Sequence, residues 1–389
     1  MPLTLLTAGE SHGPALLGIL QGLPAGLPLT ESILNAQLAR RQHGYGAGAR
    51  MKIEHDHAEI LAGIMDGITT GAPLAIRIHN ADHEKWRGKP IEPMTAPRPG
   101  HVDLAAALKY GYRDLRPGLE RASARETAMR VALGAACMHL LNQFGIHIGG
   151  WVQAIGGVRA NLSAIPLAQR AALAEESDVR CPEPTAAEAM RAAIRNAMQA
   201  RDTLGGIIEI CALGVPAGLG SHVHWERRLE SRLGAALLSV QAIKGIEFGN
   251  AFENASLPGT QAHDPIELHG ETLIRPTTRS GGIEGGISTG QPLLIRAAMK
   301  PIASTLTPQP TVNLANGQPE PTRYERSDFC PVPRAVPILE SVSAHILADA
   351  LLEKLGGDTL AELKARFAAL PQPRLPNLPM DNRPHIFWE

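Results

Sequence analysis

The chain uses one arrangement of turn residues twice. Glu10-Ser11-His12-Gly13 leads to Gly22-Leu23-Pro24-Ala25-Gly26-Leu27, and Asp202-Thr203-Leu204-Gly205 leads to Gly214-Val215-Pro216-Ala217-Gly218-Leu219. The interval from Gly13 to Gly22 equals that from Gly205 to Gly214, and each copy then enters a helix-forming stretch, 31–42 and 226–241. One unit used twice implies related halves sharing a core; a chance recurrence of Gly/Pro strings is the alternative. Leu204 stands opposite His12, so the chemistry is expected to concentrate in the first copy. Strand-like runs fall at 3–6, 17–20, 51–54, 60–65, 73–78, 152–162 and 206–212. Helical patterns fall at 163–175, 186–200, 336–355 and 358–368, the second opening on a Thr185/Glu188 capping-box spacing. Strands alternating with several helices predict an α+β or layered α/β class. The expected layout is a single catalytic domain over 1–355, with related halves at about 1–150 and 151–355. A C-terminal helix and proline-rich tail follow over 356–389.

A densely basic stretch runs from Arg98 to Arg130. Two glycine-bearing turns flank a short helix there, and the second turn feeds a long one. Ser123 and Glu126 have capping-box spacing, followed by apolar positions at helical intervals and a C-cap at Gly145. Arg125 would then lie in a first helical turn, where free amides favour an anion. With Arg98, Arg113, Arg116 and Arg121 nearby, the stretch suits a multiply charged anion; a capped helix with a solvated basic end reads the same way. The formal net charge is only -1 and aromatics are 4% of residues, which disfavours nucleic-acid binding. The four cysteines, Cys137, Cys181, Cys211 and Cys330, form no CxxC and fit reduced thiols in the cytoplasm. No signal peptide or membrane span is expected. Rossmann, P-loop and HExxH patterns are absent, and no metal site is expected.

Three further stretches suit ligand contact. His12 lies in a turn between small residues. Arg40 to Arg50 is a glycine-spaced loop with basic ends, and Ser280 to Gly290 is the most glycine-dense run. Each also reads as plain structure: a turn, a surface loop, and tight inter-strand turns whose amides face no ligand. Arg326-Ser327-Asp328, beside prolines, reads as a rigid loop of opposite charges or a structural ion pair.

Taken in order, these strings resemble the chorismate synthase family. The resemblance is carried by GESHG (9–13), RRQHGYG (40–46), RPGHVD (98–103), KYGYRD (109–114), ERASARET (120–127), GGIEGGIS (281–288), KPI (300–302), RSDFC (326–330) and VPRAVP (332–337). It implies a layered β-α-β sandwich, with helices between antiparallel sheets, and a homotetramer. It also implies a lyase of the shikimate pathway and aromatic amino acid biosynthesis. The reaction is the 1,4-elimination of phosphate from 5-enolpyruvylshikimate 3-phosphate, dependent on reduced FMN. By the same motifs, His12 is the acid for the leaving phosphate, with Ser11 in its relay. His101 supports the reduced flavin, and Asp328 assists ring-proton removal. Arg41, Arg98, Arg125 and Arg326 line the substrate pocket. Ser123, Ala124, Thr278, Lys300, Ser304 and Arg326 lie near the flavin. His43, His55, His83 and His263 are read as ordinary polar histidines.

The sequence departs from the common pattern at Ala47, where many members carry arginine, and at Thr278, where asparagine is common. Phe329, Gln21 and Ala122 also differ, standing for a smaller residue, an acid and a serine. No segment is added for an NADP-dependent reductase, so reduced flavin is expected from an external source. No nucleic-acid or membrane partner is expected. Two other classes remain: a flavin-independent lyase or phosphoesterase acting on a small phosphorylated acid, and a non-catalytic RNA-binding or assembly protein with a degenerate site.

Overall fold

Both copies of the repeated string frame a strand and a helix in the same order. The computed structural model describes residues 2–46, 55–325 and 327–388. Its first run of elements is β1 (Thr4–Ala8), β2 (Ala15–Gln21), α1 (Glu31–Gln42), β3 (Ala58–Ala62), β4 (Leu74–His79), α2 (Asp103–Tyr110), α3 (Arg116–Ala122) and α4 (Thr127–Asn142). The second is β5 (His147–Ile155), α5 (Leu167–Glu175), α6 (Pro184–Gln199), β6 (Gly206–Leu213), α7 (Leu229–Leu238), β7 (Ile243–Phe248), β8 (Leu293–Met299), α8 (Val332–Leu355) and α9 (Leu360–Ala368). The first sheet has the order β1-β2-β4-β3 and the second β5-β6-β8-β7, with a short strand, Val158–Arg159, added outside β5. All pairings in both sheets are antiparallel. The class is α+β with an internal duplication, as the repeat implies.

The duplication extends to single hydrogen bonds. Thr69 Oγ1 donates to Pro24 O (2.6 Å) and accepts from Leu27 N (2.9 Å). Ser288 Oγ does the same with Pro216 O (2.6 Å) and Leu219 N (2.9 Å). Each hydroxyl lies in a small hairpin that pins the Pro-Ala-Gly turn and satisfies its buried backbone groups. The hairpins themselves repeat: Gly63, Gly67 and Gly71 match Gly282, Gly286 and Gly290, all at positive φ. Sequence reading passed over this second echo, Gly-Ile-Met-Asp-Gly-Ile-Thr-Thr-Gly against Gly-Ile-Glu-Gly-Gly-Ile-Ser-Thr-Gly. The glycine-dense run from Ser280 therefore forms tight inter-strand turns.

The core lies between the sheets, where α4 and α8 pack against each other. Their apolar residues recur on every side, so both helices are buried around most of their circumference. Close approach requires small residues: a Cβ on Gly134 of α4 would stand 2.4 Å from Ser341 Cβ of α8. The α8 helix is long and apolar enough to cross a membrane, but 83% of its apolar window is buried inside the protein. At its flank, Arg40 of α1 grips the fully buried Glu340 with two nitrogens, at 2.7 and 3.1 Å.

Several local expectations are corrected. The stretch before Ser123 is the helix α3, and Ser123 Oγ accepts from Arg125 N (3.2 Å) at the head of a 3-10 turn. Glu126 is drawn away to Thr7 (2.6 Å) and Arg130 (2.9 Å), so no capping box forms there. At α6 the cap is Glu183, whose two oxygens accept from Thr185 N and Ala186 N; Glu188 turns to Arg191 and Arg195. A capping box does form at Thr359–Glu362, ahead of α9. The strand expected at 152–162 begins earlier, at His147, and the strand expected at 51–54 lies outside the described residues.

Candidate active site

The two central helices begin side by side, and the site is built on their N-termini. Arg41, at the end of α1, donates from Nη2 to Ala124 O (2.9 Å) and from Nε to Thr127 Oγ1 (3.1 Å) at the head of α4. From the head of α8, Arg334 donates through Nε to Arg41 O (3.2 Å) and through Nη1 to Asp328 Oδ2 (2.5 Å). Asp56 bridges the buried Arg41 and Arg125, at 3.5 Å from Arg41 Nη1 and in direct contact with Arg125 Nη1. Arg125 Nε also donates to Asn80 Oδ1 (2.8 Å), and Asn80 Nδ2 donates to Gly13 O (2.8 Å), tying the cluster to the His12 turn. Burial and the nearby Arg334 lower the Arg41 pKa to about 10, against the pull of Asp56 and Asp328. Arg41 still carries its charge at neutral pH, at the positive ends of two helix dipoles. Such a place suits an anion.

Arg98, His101 and Asp103 form the second group. Asp103 is fully buried at the start of α2 and accepts from Arg98 N (3.0 Å), Nε (2.9 Å) and Nη2 (3.0 Å). His101 Nδ1 lies 2.5 Å from Asp103 Oδ1, which assigns the ring proton to Nδ1. Burial resists ionisation of Asp103, but His101 and Arg98 outweigh it and hold the carboxyl well below its ordinary range. Arg98 Nη1 reaches Ser304 Oγ (3.1 Å), and Ser327 Oγ donates to Ser304 O (2.8 Å), which links this group to the neighbouring Asp328. Lys300 lies beneath: a Cβ on Gly100 would stand 3.8 Å from its Nζ. Burial and Lys244 lower the Lys300 pKa, and its contact is a carbonyl, Pro301 O, at 3.3 Å. That donor set, an ammonium, a guanidinium and hydroxyls, fits the phosphate of a phosphorylated ligand.

The His12 turn is the third group. His12 Nδ1 lies 2.8 Å from Glu120 Oε1, and Ser123 Oγ donates to Ser11 Oγ (3.1 Å). Trp86 lies against the His12 ring, with centroids 4.8 Å apart. His83, read from sequence as an ordinary polar residue, places Nδ1 2.9 Å from His12 O. Beyond Trp86 opens a cavity of about 550 Å³, with Lys85, Lys89, Arg116 and Tyr324 in its walls.

His12, Ser11, Arg41, Arg98, His101, Ser123, Ala124, Arg125, Lys300, Ser304 and Asp328 thus belong to one connected region. Thr278 does not join it through any described contact; its carbonyl accepts from Gly281 N in the turn before the second hairpin. Arg326, Ala47 and Arg50 lie outside the described residues. The basic run does not converge as its sequence suggests. Arg113 is exposed, Arg116 covers Trp86, and Arg121 holds the Thr7 carbonyl. Sequence reading also missed Asp56, Asn80, Asp103, Glu120 and Arg334. Asp103, Glu120 and Arg334 stand inside the quoted strings, whereas nothing local marks Asp56 or Asn80.

A family model described as chorismate synthase matches residues 3–352. The chain is 51% identical over 378 residues to a chorismate synthase of Chlorobaculum tepidum, covering 92% of this chain and 95% of that one. It is 50% identical over 379 residues to that of Moorella thermoacetica, covering 95% and 98%. A crystal structure of chorismate synthase superposes with a TM-score of 0.78 at 42% identity, covering 95% of this chain and 97% of the other.

Proposed function

The chain belongs to the chorismate synthase family, and from that premise we propose that the paired helix N-termini hold 5-enolpyruvylshikimate 3-phosphate for the 1,4-elimination of phosphate. The observation that carries the reading is one chain of contacts: Arg125 reaches the His12 turn through Asn80, Arg334 joins Arg41 to Asp328, and Ser304 with Ser327 joins the Arg98–His101 group to the neighbour of Asp328. Arg41, Arg98 and Arg125 orient the anionic groups, and Arg326 belongs to the same proposal from outside the described residues. His12 Nε2 delivers a proton to the leaving phosphate, with Ser11 and Ser123 in its hydrogen-bond relay. Asp328, steadied by Arg334, assists removal of the ring proton. Ser123, Ala124, Lys300 and Ser304, with His101 beside them, would hold reduced FMN, which when bound would supply electron density for the elimination. Thr278 is left out of this set, since its described contacts lie elsewhere.

The same reading takes the chain as one catalytic domain of two halves over 1–355, cytoplasmic and homotetrameric, supplied with reduced flavin from outside. Exposed Leu6, Leu17 and Ile19 on the outer face of the first sheet support subunit packing. The test is an anaerobic assay with substrate and chemically reduced FMN, reading chorismate and phosphate together. Equimolar release that stops with oxidised FMN is expected. Phosphate release without flavin would replace the reading with a flavin-independent lyase or phosphoesterase.

A further inference from the structure

His12 is held from two sides by one residue. Glu120 Oε1 lies 2.8 Å from the ring Nδ1, and Oε2 accepts from the backbone N–H of the same histidine at 2.8 Å. Its own carbonyl accepts from Ser11 N at 3.2 Å. Glu120 is therefore attached to the turn at three points, each fixing a different part of it. It sits near the end of α3, which is anchored where Gly118 meets Ala106 of α2. Trp86 closes one face of the His12 ring. The side chains of His12 and Glu120 are only 16% and 13% exposed, so water competes weakly for the contact.

We propose that Glu120 is a positioning residue that keeps the His12 Nδ1 proton in place, so that proton transfer to the leaving phosphate runs through Nε2 alone. An ionised carboxylate is acceptor-only, so the shared proton resides on Nδ1. The other ring nitrogen, Nε2, makes no described contact. When the allylic C–O bond breaks, its electron pair leaves with phosphate. The Nε2 proton of the imidazolium passes to a phosphate oxygen, leaving a neutral ring whose Nδ1–H still faces Glu120. Burial resists ionisation of Glu120, but the His12 ring and backbone outweigh it, holding the carboxyl below its ordinary range. Other charged or titratable groups around the turn are Glu10 beside Gly13, His83 on the His12 carbonyl, Arg116 over Trp86 and Arg121 at Gly9 O. Among the described residues, Glu120 is the one hydrogen-bonded to the His12 ring.

The inference rests on the proposed acid role of His12. The test uses the full-length enzyme with chemically reduced FMN in anaerobic single turnovers across pH, for the parent, Glu120→Gln, Glu120→Asp and His12→Ala. In Glu120→Gln the rate should fall about tenfold or more at neutral pH, with KM changed less than kcat. Its alkaline limb should move to lower pH, because the charge facing the ring is gone. Glu120→Asp keeps that charge, and its limb should stay with the parent even if its rate falls; it also serves should Glu120→Gln not fold. A uniform loss in Glu120→Gln with an unmoved limb would reduce Glu120 to a structural contact and overturn the proposal, as would limbs moved alike in both variants. An undiminished rate in His12→Ala would remove the acid role itself and this inference with it. An inactive His12→Ala beside an unaltered Glu120→Gln would remove the inference alone.

Discussion

Asp56→Asn is the sharpest test of the buried charge cluster. The Asp56 side chain is 2% exposed and bridges Arg41 and Arg125, themselves 5% and 3% exposed. Asparagine keeps the shape and one acceptor but removes the bridging charge, so two buried guanidinium groups face each other with less compensation. Removing one partner of a buried pair costs about 3–5 kcal/mol, and the retained acceptor argues for the lower figure, about 3 kcal/mol. Spread over the unfolding entropy of a chain of this size, that lowers Tm by about 4 °C. The two arginines also lie where the substrate's anionic groups are proposed to bind. Substrate should therefore raise the Tm of Asp56→Asn by more than it raises the parent's, because it returns negative charge to the pair. The assay is thermal unfolding of both proteins with and without 5-enolpyruvylshikimate 3-phosphate, at low and high salt. A loss below about 1 kcal/mol would show that other groups neutralise the arginines. A full loss that substrate does not relieve would show that Asp56 supports the fold away from the anion site.

Four other outcomes are expected. His12→Ala and His101→Ala should each lower the single-turnover rate by about 10²–10⁴-fold with circular dichroism unchanged, since proton transfer contributes on that order. Arg334→Gln should cost about tenfold or more in rate and less in KM, because Asp328 loses the charge that holds it at 2.5 Å; an unchanged kcat would release Asp328 from that dependence. Gly134→Val should destabilise the protein by about 1–3 kcal/mol in urea titration, since its Cβ would stand 2.4 Å from Ser341 Cβ. Stability should also fall in acid. Asp103 and Glu126 are held low in the folded state, despite burial, by His101 and Arg98 and by Thr7 and Arg130. The unfolded chain takes up those protons first as pH drops. Their contribution is therefore complete above the ordinary carboxyl range, near pH 4–5, and lost progressively below it. A midpoint denaturant concentration flat from about pH 6 to pH 3 would contradict this.

Local chemistry wrote much of the molecule into its sequence. The repeated Pro-Ala-Gly turns already imply duplicated strand-and-helix units, because glycine and proline restrict the backbone wherever they stand. The apolar spacing after Ser123 and over 336–355 marks two helices before any contact is known, and the structure extends the second back to Val332. Among the described residues, His12, His101, Arg41, Arg98, Arg125 and Asp328 of the matching strings fall in one region, since their turns face it. Tertiary structure alone decided how the charges are shared. Nothing local marks Asp56, and only the packing of β3 against α1 brings this residue, just ahead of that strand, between Arg41 and Arg125. Glu126 has the spacing of a capping residue, yet Thr7 on a neighbouring strand and Arg130 one turn on are better partners for its carboxylate. Arg113, Arg116 and Arg121 are near in sequence but diverge: Arg113 is exposed ahead of α3, and α3 turns Arg116 and Arg121 to different sides. Spacing along a chain fixes which face of a helix a side chain occupies. Which partner meets it there is fixed by segments distant in sequence, as Asp56 is from Arg125 (69 residues) and Thr7 from Glu126 (119 residues), whose arrival no local pattern encodes.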